Sequence, residues 1–119
     1  GTRVVAAHDV SPGELPQADG SWTDRPGVAC VVQVADCLPV LLAARNGRAV
    51  GAVHAGWRGL SRGVVEAGVE AVGRAAECGP EDVIAWLGPC MVSDRSRFFS
   101  YRRDKVTGRL VGAVWLREG

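Results

Sequence analysis

The sequence predicts a mixed α/β fold in a single domain, and three observations lead there. At 119 residues, the chain has the size of one domain and is too short for two independent cores. Five or six apolar, β-branched runs of strand length are spaced along it, as in a sheet with buried faces. One stretch repeats its apolar residues every three or four positions, which is the period of an amphipathic helix. Apolar residues make up 47% of the chain and charged residues 23%, ordinary globular usage that argues against disorder, collagen and coiled coil.

The elements follow in order. Residues 2–7 form a first short strand, after which Ser11-Pro12-Gly13 and Gln17-Ala18-Asp19-Gly20-Ser21 are rich in turn formers and make a loop. Residues 28–34, 38–43 and 49–54 are apolar runs and read as buried strands. Between the second and third of these lies Arg45-Asn46-Gly47-Arg48. An Asn-Gly pair there favours a type I′ turn, because both residues tolerate positive φ, so the two strands are expected to be antiparallel neighbours. Residues 56–63 make a glycine-punctuated turn. Val65, Val69, Val72 and Ala76 then mark one face of a helix, with Ser61 placed to cap its start. Gly79 suits a left-handed C-terminal cap and Pro80 cannot continue the hydrogen-bond ladder. Residues 82–87 return as a strand, ended by Gly88-Pro89, and residues 110–116 form the last, entered through Thr107-Gly108.

Charge excludes some partners. The net charge is +1, which gives no whole-chain case for nucleic acid or an acidic membrane. Its distribution is uneven: residues 1–94 carry seven Arg against eleven acids, and residues 95–119 carry seven Lys and Arg against two. In that basic tail Arg95, Arg97, Arg102, Arg103 and Lys105 surround Phe98, Phe99 and Tyr101. This mixture can grip a phosphate or a purine ring, or simply form a solvated turn with aromatic anchors. No apolar run approaches the ~18 residues of a membrane span. The four cysteines, Cys30, Cys37, Cys78 and Cys90, show no C-x-x-C spacing. With no export signal, reduced thiols and a cytoplasmic location are expected. The sequence starts at Gly1 instead of Met, so residues before it are expected to be missing.

The chemistry concentrates at two strand ends. Asp36-Cys37 precedes the strand at 38–43, and His54 closes the strand at 49–54 before Gly56. Strand ends beside glycine turns are rigid and let a ligand approach the backbone. Across an antiparallel hairpin Cys37 and His54 can face each other. Such a pair can hold zinc or copper, or act as nucleophile and base. Cys30, Cys78 and Cys90 read instead as small buried hydrophobes, and His8, at a strand end before a loop, as an ordinary histidine. Trp57 and Arg58 can pack under a ring and hold an anion, although a Trp at a turn also serves as a core plug.

Ala35-Asp36-Cys37-Leu38-Pro39-Val40, His54-Ala55-Gly56-Trp57-Arg58-Gly59-Leu60, Ala85-Trp86-Leu87-Gly88-Pro89 and Phe99-Ser100-Tyr101-Arg102-Arg103-Asp104 with Thr107-Gly108-Arg109 together resemble the bacterial laccase-domain family. Its members are variously labelled polyphenol oxidoreductase, purine nucleoside phosphorylase with adenosine deaminase activity, and peptidoglycan editing factor. The resemblance implies a sandwich of mixed β-sheets with helices outside, over one domain spanning 1–119. It also implies a metal, usually zinc, held by Cys37, His54 and a further His that would sit just before Gly1. A segment that members carry after the Trp-Leu-Gly-Pro motif is expected to be missing near 91–97.

The leading expectation is therefore a zinc-dependent enzyme that cleaves purine nucleosides with phosphate and deaminates adenosine. Three-ligand zinc leaves a position open for water. Arg58, Arg102 and Arg103 are candidates for the substrate phosphate, since guanidinium binds phosphate in a forked geometry. Copper-dependent polyphenol oxidation is the alternative, although a multicopper centre uses many histidines and this chain has two. A Cys37–His54 hydrolase, peptidoglycan editing and a small binding module complete the set.

Overall fold

The computed structural model describes residues 3–10, 18–34, 38–56, 63–88 and 110–117. Strands β1 (Val4–Ala6), β2 (Gly20–Thr23), β4 (Leu38–Ala44), β5 (Val50–Ala55) and β6 (Val83–Leu87) form one sheet in the order β1-β2-β5-β4-β6. Strands β3 (Ala29–Val34) and β7 (Leu110–Trp115) form a second sheet of two. β1 and β2 run parallel and every other pair is antiparallel. One α-helix, α1 (Val64–Ala76), completes the described elements, with 3₁₀ turns at Ala7–Asp9 and Pro80–Asp82. The mixed α/β expectation and the sandwich of two sheets therefore hold.

The larger sheet is the middle layer, because strand side chains alternate between its faces. On one face Val40, Leu42, Val53 and Ala55 pack with Val64, Val72 and Ala76 of α1. On the other, Val50 and Ala52 pack with Cys30 and Val32 of β3. Two glycines let α1 sit close to the sheet. A Cβ on Gly68 would lie 2.6 Å from Val53 Cγ2 and 2.9 Å from Leu42 Cδ1, and one on Gly51 would lie 2.8 Å from Val72 Cγ2.

Several local expectations need correction. Residues 28–34 are buried on one face only: Cys30 and Val32 point inward while Ala29, Val31 and Gln33 are exposed. The 38–55 hairpin forms as expected, from Leu38↔Ala55 to Ala43↔Val50, but its turn is not type I′. Ala44 N–H donates to Ala49 O, which makes the loop four residues, and Gly47 N–H donates to Ala44 O. Within that loop Gly47 alone takes a positive φ, 73°, as suits the longer connection. Asn46 instead reaches the helix end, where its Nδ2 donates to Ala76 O at 3.0 Å.

The helix cap also differs. The buried stripe of α1 runs through Val64, Gly68, Val72, Gly73 and Ala76; Val72 and Ala76 lie on it as expected, while Val65 and Val69 sit at its margin and Val64 and Gly68 take the buried positions. At the start, Gly63 occupies the cap position with φ 85° and no side-chain bond, and Ser61 lies outside the described residues. At the end, Glu77 adopts the left-handed conformation at φ 57°. Its N–H donates to Arg74 O, and Cys78 N–H donates to Gly73 O, a Schellman arrangement. Gly79 is extended at φ −82° and ψ 167°, because Pro80 pushes the preceding residue out of the helical region. The left-handed position therefore falls to Glu77. Cys90 and the Thr107-Gly108 turn lie outside the described residues.

Candidate active site

His54 is the residue of β5 that the core leaves open. The other five residues of the strand are buried, while His54 is half-buried. Alternation explains its aspect: Val53 and Ala55 pack toward α1, so Val50, Ala52 and His54 face the β3–β7 side. The strand is held on both flanks at this point. His54 N–H donates to Asp19 O at 2.7 Å, and His54 stands opposite Pro39 of β4. Its imidazole has no hydrogen-bond or ion-pair partner among the described residues.

His54 borders a cavity of about 590 Å³ lined by residues of both sheets. Among the described residues Asp19, Ser21 and Gln33 are its other polar residues, and Val5, Val10 and Val31 line apolar parts of the wall. Backbone bonds from Asp19 N–H and Gly20 N–H to Arg3 O tie this rim to the start of β1, and Arg3 N–H donates to the Asp19 carboxylate at 3.1 Å. Behind the wall lies Cys30. Burial pushes its thiol pKa up, with a hydrogen bond from Ser21 opposing the shift in part. A thiol held protonated is a poor nucleophile and a poor metal ligand, so Cys30 is a core residue, as the sequence suggested.

Of the residues singled out in the sequence, His54 is placed at the cavity. Cys37, Arg58, Arg102 and Arg103 lie outside the described residues, as does Trp57. The β4–β5 register does put the first residue of β4, Leu38, opposite Ala55, next to His54. Among the described residues no group of three or more His, Cys, Asp and Glu side chains could hold a metal ion. His54 itself suits one: an imidazole without a partner among the described residues, at a cavity wall, offers the lone pair that zinc or copper takes.

His8 has a structural role. Its side chain is 8% exposed, its Nδ1 lies 3.1 Å from Thr23 Oγ1, and its ring meets Trp22 edge-on at 5.1 Å. Asp24 and Asp9 carboxylates stand 3.9 and 4.0 Å from its two nitrogens. This clasp pins the 3₁₀ turn that carries Ala7 to the cavity wall. Asp19, Ser21 and Gln33 were missed as site residues. Gln33 carried the one available signal, a polar residue within the apolar run 28–34.

The family model for multi-copper polyphenol oxidoreductase laccase matches residues 1–95 and 90–117. A purine nucleoside phosphorylase of Pseudomonas aeruginosa is 30% identical, over 96% of this chain and 71% of its own length. The purine nucleoside phosphorylase YfiH of Escherichia coli is 32% identical, over 88% of this chain and 66% of its own. The chain thus spans about two thirds of the length of these curated relatives. Among solved structures, a Neisseria meningitidis protein superposes with a TM-score of 0.80 at 31% identity, over 98% of this chain and 72% of its own. YlmD from Geobacillus stearothermophilus shares the fold, with a TM-score of 0.78 at 22% identity over 99% of this chain and 71% of its own.

Proposed function

Since the chain belongs to the multi-copper polyphenol oxidoreductase laccase family, we propose that it acts as a purine nucleoside phosphorylase, with the nucleoside and inorganic phosphate bound in the cavity beside His54. The observation that carries this reading is the open imidazole at the wall of a 590 Å³ cavity, a volume within the range of small-molecule sites. The names of the curated relatives supply the substrate class. In phosphorolysis a phosphate oxygen forms a bond to C1′, the C1′–N9 bond breaks, and the purine leaves as free base with a proton. Arg58, Arg102 and Arg103 are proposed to hold the phosphate, and the aliphatic wall at Val5, Val10 and Val31 to pack on the base.

Zinc is the proposed metal, with His54 and Cys37 as ligands from this chain. When bound, it supplies a Lewis acid and a water that ionises near neutral pH. That chemistry suits adenosine deamination as a second activity, in which water replaces the 6-amino group and ammonia leaves. Copper-dependent polyphenol oxidation carries the family's description and is the alternative reading. His8 is engaged with Thr23, so among the described residues His54 is the imidazole open to a metal. Cytoplasm is the proposed location, and among the described residues no helix is long and apolar enough to cross a membrane.

Metal analysis of the full-length gene product tests the assignment. Stoichiometric zinc that falls on His54→Ala is expected. Copper in its place favours the oxidase, and no metal together with alkylation of Cys37 favours a hydrolase with Cys37 as nucleophile and His54 as base.

A further inference from the structure

We propose that Gln33 is the specificity-determining residue for the base, a role that rests on the phosphorylase reading. Gln33 is the polar residue of β3, otherwise Ala29, Cys30, Val31, Val32 and Val34. It is exposed and borders the cavity that His54 also borders. Among the described residues its side-chain amide has no hydrogen-bond partner, so none of them competes with a ligand for its oxygen or its nitrogen.

The described polar residues of the cavity stand in two groups, Asp19, Ser21 and His54 from the larger sheet and its rim and Gln33 from β3, with aliphatic residues, Val5, Val10 and Val31 among them, in the rest of the lining. A purine nucleoside divides into a hydroxyl-rich sugar and a flat ring with apolar faces and a polar edge. Matching the two places the sugar beside Asp19 and Ser21, and the ring against the aliphatic residues with its polar edge toward Gln33. A primary amide presents one acceptor and one donor in a plane. The N1–H and O6 of a 6-oxopurine and the N1 and 6-amino group of a 6-aminopurine both complement it, since rotation of the amide by half a turn exchanges its two ends. Gln33 therefore reads the purine edge while accepting inosine and adenosine alike.

The test compares inosine with purine riboside, which lacks the 6-substituent, on wild type and Gln33→Leu of the full-length gene product. Leucine suits an exposed strand position, and circular dichroism checks folding. Gln33→Leu is expected to raise KM for inosine about tenfold, from the loss of two neutral hydrogen bonds, with kcat little changed. The KM for purine riboside should rise about threefold or less. Equal changes on both nucleosides would overturn the role of Gln33 while leaving phosphorolysis in place. If wild type releases no free base, the phosphorylase reading fails instead. Calorimetric binding of the same two nucleosides to the same two proteins then decides Gln33 separately, by whether the substitution weakens inosine more than purine riboside.

Discussion

Gly68→Ala would normally stabilise a helix. In an exposed helix interior the change contributes about 1 kcal/mol, because glycine has the larger backbone entropy to lose. At position 68 the added methyl would stand 2.6 Å from Val53 Cγ2 and 2.9 Å from Leu42 Cδ1. Both neighbours are fully buried, Val53 at 0% and Leu42 at 1% exposure. Ordinary carbon contacts lie at about 3.5–4.0 Å, so Val53 would have to retreat by roughly 1 Å in a close-packed layer. Overpacking of this kind costs about 1–3 kcal/mol. The penalty outweighs the propensity gain, and Gly68→Ala is expected to destabilise the protein by about 1 kcal/mol net. That corresponds to a drop in Tm of roughly 4–8 °C. Urea unfolding at constant m measures it. In a Val53→Ala background, where the nearer methyl has gone, the penalty should shrink or reverse. A stabilised Gly68→Ala in the unmodified protein would refute the close approach of α1 to β5, and with it the account of why His54 faces the cavity.

Two further predictions concern the cavity's surroundings. His8→Ala removes one of two partners of the fully buried Thr23 hydroxyl, Arg25 N–H being the other, and the edge contact with Trp22. A loss of about 1 kcal/mol is expected, with faster amide exchange at residues 7–10, and unchanged exchange there would contradict the clasp. Cys30 has its thiol pKa raised by burial, so the folded state keeps the proton that the unfolded chain gives up first. Its contribution is fully present below the unfolded thiol pKa and is lost as pH rises from there through the folded pKa. Unfolding free energy should therefore fall with rising pH above about 8.5, and Cys30→Ala should remove that part of the slope. A slope unaffected by the substitution would point to other groups.

What the sequence made legible was local. The hairpin around Asn46-Gly47 and the helix before Gly79-Pro80 rest on patterns within a few residues, and both elements form. Their details depended on partners further away. Asn46 is drawn to Ala76 O across the layer, and Pro80 acts backward on Gly79, shifting the left-handed position to Glu77. The resemblance implied a sandwich of sheets, but which strands share a sheet was not legible, because β3 pairs with β7 across some eighty residues of sequence, and no local pattern encodes that choice. His54 stood out through its position at a strand end before glycine. Asp19 and Ser21 did not, since residues 17–21 have the composition of a loop, whereas residues 20 and 21 begin strand β2, whose pairing with β5 lies some thirty residues away.

The central claim is that the cavity beside His54 serves phosphorolysis of a purine nucleoside. Product analysis after incubating the full-length gene product with inosine and phosphate tests it most directly. The account predicts hypoxanthine and ribose 1-phosphate in equal amounts, dependent on phosphate and abolished by His54→Ala. Free ribose in place of ribose 1-phosphate, or no hypoxanthine at all, would contradict it.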